Sequence, residues 1–135
     1  MNKLIQTHQR ILKFSQWMIA LLWIYQGLFP KLIFKVEDEQ YIWQYMGLTS
    51  EYIFWIISLS GIAEIIFGFM FLLFTQRYLH WLNIISLIGL FFFVLLIYPN
   101  RIYQAFNPVV MNLGLISLSI IALWCIDALK QIKHE

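Results

Sequence analysis

Glu64 is the residue from which a chemistry can be argued. It sits in Gly61-Ile-Ala-Glu-Ile-Ile-Phe-Gly68, the centre of an apolar run from Tyr52 to Phe74, and is the one acid placed deep in a stretch long enough to cross a bilayer. An ionised side chain at mid-membrane costs roughly 2.5–3.5 kcal/mol even on lenient insertion scales, so neighbouring helices must supply a partner. Gly61, Glu64 and Gly68 fall at i, i+3 and i+7 on one helix face, and the two glycines admit a second backbone close to the carboxyl. Two readings of the carboxyl follow. Either it fixes helix register as a hydrogen-bonded packing group, or it shuttles a proton or holds the head group of a small apolar ligand.

The other polar residues of the apolar runs are weighed against that position. Lys31 lies near the end of the first run, whereas Glu64 lies about 13 residues, roughly 20 Å at 1.5 Å per residue, inside the second. This difference in depth favours a Lys31 that snorkels to the interface over one that pairs with Glu64. Gln26 and Asn112 sit one to two turns inside the outer ends of the first and fourth runs, where they would line a polar pocket opening outward above Glu64. Ser119 follows Asn112 by seven residues on the same face. Gly27, Gly61 and Gly68 are expected at helix contacts, and Asn83 and Ser86 read as packing groups. His8, His80 and His134 map to one membrane boundary without a second histidine on an adjacent turn, so no haem-type pair is built and no metal is expected. Cys125 reads as a buried small hydrophobe. As the single cysteine it forms no internal disulfide, and there is no CxxC dithiol.

Composition agrees with a lipid setting. Only 12% of the 135 residues are charged, 61% are hydrophobic and 19% aromatic, against about 25% charged in soluble domains. The chain reads as one all-α membrane domain over residues 1–135. With a net charge of +2 and no basic cluster, nothing neutralises a run of phosphates, so a nucleic-acid partner is excluded.

Four transmembrane helices are expected over residues 14–34, 52–74, 78–98 and 109–126, with a short amphipathic helix between the first two. The basic start (Lys3, Arg10, Lys13) followed by an apolar run has the layout of a signal peptide, but residues 25–31 offer no small-x-small cleavage site, so the span is expected to be retained. Pro30 kinks or ends it. Tyr41, Ile42, Tyr45 and Met46 recur at helical spacing before Gly47, the mark of a surface helix closed by glycine. Thr75-Gln76-Arg77 is a tight turn, and Asn107-Pro108 is an N-cap followed by proline at the first helical position. Six Lys and Arg (Lys3, Arg10, Lys13, Arg77, Lys130, Lys133) fall on the side of the termini and three (Lys31, Lys35, Arg101) on the other. The positive-inside rule then puts both termini in the cytoplasm of a bacterial inner membrane.

At Trp23-Ile-Tyr-Gln-Gly-Leu-Phe-Pro-Lys31, Gly61-Ile-Ala-Glu64 and Asn107-Pro108-Val-Val-Met-Asn112 the chain resembles the DoxX-like family of small four-helix membrane proteins, over roughly residues 10–127. Gly27, Pro30, Lys31, Gly61, Glu64, Pro108 and Asn112 match motif positions of that family. The resemblance implies an association with quinone-linked oxidation of sulfur compounds and with membrane oxidoreductase assemblies.

Three functions compete. The leading one is an inner-membrane protein binding a small apolar or amphipathic molecule, a quinone among the candidates, through Glu64, Gln26, Asn112 and Lys31, as an accessory or subunit of a membrane redox system. The second is a proton-coupled carrier of a small solute with Glu64 as the coupling site, where a homodimer supplies the half that four helices lack. The third is a structural partner that packs through the glycine face of the second helix. The residues carry no cofactor motif and assign no reaction.

Overall fold

The computed structural model describes residues 2–103 and 107–133. The described chain is helical, with no strand, so the all-α reading holds. Helix α1 (Asn2–Gln26) continues into a π-helical segment, Gly27–Ile33. Then follow α2 (Glu37–Tyr45), α3 (Ser50–Leu73), α4 (Arg77–Ile97), a 3₁₀ turn at Pro99–Tyr103 and α5 (Pro108–Ile132). Three of these, α3, α4 and α5, are long and apolar enough to cross a membrane. A fourth crossing is available if the first helical run and α2 are counted as one span, bent by 78° at the break between them.

By backbone proximity the chain divides into two units, one made of the segments up to Ile19 and from Phe71, the other of Ala20–Met70. In the first unit Leu12 packs against Ala122 and Cys125, with Ile121, Ile126 and Leu129 around them. Cys125 is thus the small buried hydrophobe its position suggests. The basic start is helical as well: Thr7 and His8 return hydrogen bonds to the carbonyls of Lys3 and Leu4, at 2.9 and 2.8 Å. Leu79 and Leu87 of α4 and Leu115 of α5 are fully buried.

Sequence explains the ends of these helices. Asn107 stands outside α5 in extended conformation, and its Oδ1 accepts from the backbone N–H groups of Val109 and Val110 at 3.0 and 3.3 Å, while Pro108 occupies the position where a missing N–H costs nothing. At the turn after α3, Gln16 Nε2 donates to the Phe74 carbonyl at 3.1 Å, and the Thr75 hydroxyl donates to Gln16 Oε1 at 3.3 Å. One buried amide therefore closes the turn from another element.

In the second unit Ala20, Trp23, Ile53 and Ile57 are buried, and Trp23 meets Phe67 edge to face with centroids 5.3 Å apart. Helix α2 buries none of its residues and leaves Tyr41 and Tyr45 exposed. It ends in two reversed hydrogen bonds, Gly47 N to Gln44 O at 2.9 Å and Leu48 N to Trp43 O at 3.2 Å. That closure needs a left-handed residue, supplied by Gly47 at φ +83°.

Candidate functional site

The centre of the second unit is an ion pair. Lys31 Nζ donates to Glu64 Oε1, with the two side chains only 10% and 16% exposed. Glu39, from α2, brings a second carboxylate to 3.8 Å from the same ammonium. The expectation that Lys31 snorkels away from Glu64 is therefore corrected. Its error was to start both helices at one depth. Helix α3 begins two turns beyond the point where the first helical run ends: Lys35 Nζ donates to Ser58 Oγ at 2.7 Å, eight residues into α3 and so about 12 Å along it. The intervening chain is used up by α2 and its turns, which sets Lys31 beside Gly61 rather than beside Ser50.

Small residues make that approach possible. A Cβ on Gly61 would lie 2.8 Å from the Gly27 carbonyl oxygen and 3.0 Å from Lys31 Cβ. A Cβ on Gly27 would strike the Gly61 carbonyl and lie 3.1 Å from Glu64 Cβ. Two turns further along α3, a Cβ on Gly68 would lie 2.8 Å from Ile24 Cγ1 and 2.9 Å from the Ala20 carbonyl oxygen. The obstacles include backbone, which cannot rotate aside as a side-chain tip can.

Pro30 shapes the other wall. Lacking an N–H, and crowding the carbonyl four residues earlier, proline is poorly tolerated inside an α-helix; here the helix widens to a π turn, with Phe34 N bonded to Phe29 O at 3.0 Å. Beyond it, Lys35 adopts φ +44°, and its carbonyl accepts from Gln40 Nε2 at 2.7 Å. Its ammonium stands over the Phe54 ring, 4.1 Å from the centroid. Lys35, Gln40, Ser50, Ile53, Phe54 and Ile57 line a cavity of about 110 Å³. Clefts that enclose a whole ligand run to roughly 300–1,000 Å³, so this one suits a fragment or head group.

The electrostatics leave one atom unaccounted for. Glu64 Oε2 is buried and has no hydrogen-bond partner among the described residues. The lysine ammonium has three donors, of which the two carboxylates occupy at most two. Lys31 and Glu64 thus offer a donor and a buried acceptor to a molecule beside them. Gln26, half-buried, directly precedes the π segment in this same unit.

Asn112 belongs to the first unit, where it is 4% exposed and its Oδ1 has no partner among the described residues. The same unit holds a polar cluster of residues read separately from the sequence: Asn83 as a packing group, Ser119 on the face of Asn112, and His80 as a boundary histidine. Asn83 Nδ2 donates to Ser119 Oγ at 2.8 Å and approaches the Leu115 carbonyl at 3.4 Å, and Ser119 Oγ lies 3.4 Å from His80 Nδ1. All three side chains are fully buried, with the His80 ring edge-on to Phe71. Their spacing was the available signal: His80 and Asn83 are one turn apart, facing a serine on the next helix. Among the described residues no three His, Cys, Asp or Glu side chains gather as metal ligands do; His134 lies outside them.

Apolar helices of spanning length, with an ion pair set among them, define an integral membrane protein. A model of the DoxX-like family matches residues 20–120, and the chain belongs to that family. No curated protein and no solved structure matches it.

Proposed function

We propose that this protein binds the polar end of a small apolar or amphipathic molecule beside Lys31 and Glu64, in the bacterial inner membrane, as an accessory or subunit of a membrane redox system. The observation that carries the reading is the buried, unpartnered Glu64 Oε2 next to an ammonium with a donor to spare. With Glu39 ionised as well, the three groups sum to one negative charge, which a hydroxyl or other donor of the ligand would stabilise. A quinone fits this donor and acceptor set, because its carbonyl oxygen accepts from Lys31 and the hydroxyl of its reduced form donates to Glu64 Oε2. When bound it would supply two-electron redox chemistry that no side chain here provides. Gln26, in the same unit, completes this proposed ligand-binding set, the 135 residues act as one membrane domain, and both termini face the cytoplasm.

Native mass spectrometry of the protein extracted in mild detergent tests this. The wild type should carry a discrete small molecule, with occupancy falling at least several-fold in Glu64→Gln and in Lys31→Met. A wild type that is clean of ligand, or ligand retained equally by folded Glu64→Gln and Lys31→Met, would overturn the proposal.

A second reading draws on the π-helical break at Pro30, since interrupted helices are where carriers place their coupling groups. There Glu64 exchanges a proton for solute, a homodimer completes the pathway, and flux into liposomes should stop in Glu64→Gln. Flux at the wild-type rate in that variant would end this reading.

A further inference from the structure

A groove in the first unit, on the α4 and α5 surface, has no part in the proposal above. Arg77, Trp81, Ile84, Ile120, Leu123, Trp124 and Asp127 enclose about 260 Å³. On α4 the residues fall at i, i+4 and i+7, and on α5 they run back from Asp127 at i−3, i−4 and i−7, so each helix contributes one continuous stripe. The stripes share an order. Charge stands at the start of α4 and just over a turn inside the end of α5, an exposed tryptophan follows on each, and aliphatic residues come last, about 10 Å further in at 1.5 Å per residue. Ile84 and Leu123 are buried, whereas Trp81 and Trp124 are 50% and 68% exposed, so the floor is closed and the walls are open.

This sequence of surfaces is that of a phospholipid: head group, interface, acyl chain. The head group can be specified further. Arg77 Nη1 donates to Asp127 Oδ1, yet the two side chains remain 49% and 41% exposed. Among the described residues one guanidinium nitrogen is engaged and the others stay available, as does the second carboxylate oxygen. A guanidinium with spare donors takes a phosphate, often in bidentate fashion. A carboxylate beside it repels a purely anionic head group and accepts from a primary ammonium. We propose that this groove seats a phospholipid whose head group carries both a phosphate and a primary ammonium, with phosphate on Arg77, ammonium on Asp127 and the first part of one acyl chain over Ile84, Ile120 and Leu123 between the tryptophans.

The test is competition between lipids of identical acyl chains. Protein in mixed micelles holding equal phosphatidylethanolamine, phosphatidylglycerol and phosphatidylcholine is transferred to native mass spectrometry and bound lipids are counted. Phosphatidylethanolamine should exceed each of the others by about fivefold, the scale of one partly exposed charge pair. Phosphatidylcholine, with the same phosphate but no N–H on its nitrogen, isolates the Asp127 contact. Asp127→Asn should abolish that preference and raise phosphatidylglycerol, while Arg77→Gln should lower retention of all three lipids, since each carries the phosphate. A pair that merely ties α4 to α5 would change stability in both variants without changing lipid selectivity. Equal retention of all three lipids by the wild type, or a preference that survives both substitutions, would overturn the assignment. If Arg77→Gln is not monodisperse, Trp124→Ala takes its place and should lower all three lipids together; no change there would also overturn it.

Discussion

An ammonium and a carboxylate held side by side among apolar helices cannot return to water, and removing one partner strands the other. Lys31→Met should therefore cost about 3 kcal/mol of stability, the usual consequence of leaving a buried charge unpaired. Lys31→Met combined with Glu64→Leu removes both charges and should recover most of that loss in thermal unfolding measured in detergent. A double variant no better than the single one would show that the pair carries little. At Ser119 the argument concerns hydrogen bonds alone. The hydroxyl accepts from Asn83 and lies next to His80, so Ser119→Ala leaves buried polar atoms of two other side chains without it. A loss of about 1–3 kcal/mol is expected in the same assay.

Among the elements, the crossing of the first helical run over α3 depends on the absence of side chains at Gly27 and Gly61. Gly61→Leu should lower the thermal midpoint strongly and separate Lys31 from Glu64, since the obstruction is the Gly27 carbonyl as well as a side chain. Gly89→Ala provides the contrast: its Cβ would meet nothing within 4 Å, so replacing a helical glycine should be neutral or stabilise by about 0.5–1 kcal/mol. Comparable losses in both variants would remove the close contact as the cause. This face was legible in the sequence, because Gly61, Glu64 and Gly68 share it by spacing alone. The partner of Glu64 was not. Counting 1.5 Å per residue from the start of a helix gives depth along that helix, but the offset between two helices depends on how the connecting chain is spent, and residues 36–49 are spent on α2 and its Gly47 turn. The widening at Pro30 was legible only as a break. Asn107-Pro108 could be read in full, since its geometry is set by neighbours in sequence. Of the His80, Asn83 and Ser119 cluster only the one-turn spacing of His80 and Asn83 could be read, since Ser119 joins them only when α4 and α5 are brought together.

For the molecule as a whole, orientation in the membrane rests on a six-to-three distribution of Lys and Arg. With Cys125→Ser as background, a single cysteine at Thr7 or Gln131 should react with an impermeant maleimide only after the cytoplasmic side is opened, and one at Gln44 should react in intact spheroplasts. The opposite pattern would reverse the assignment of the termini. Fold class and family membership were within reach of composition and short motifs, because lipid restricts a chain of this hydropathy to helices.

Gln16 bears on how such a protein is built. Its amide supplies the hydrogen bonds that close the turn after α3, from a position some sixty residues earlier in the chain. A ribosome delivers that amide to the membrane well before Phe74 and Thr75 emerge. The donor that closes the turn between α3 and α4 is thus synthesised before the hairpin it serves. A fragment beginning at Ser50 would enter the bilayer with the Phe74 carbonyl deprived of its donor, and co-expressed residues 1–49 should restore it.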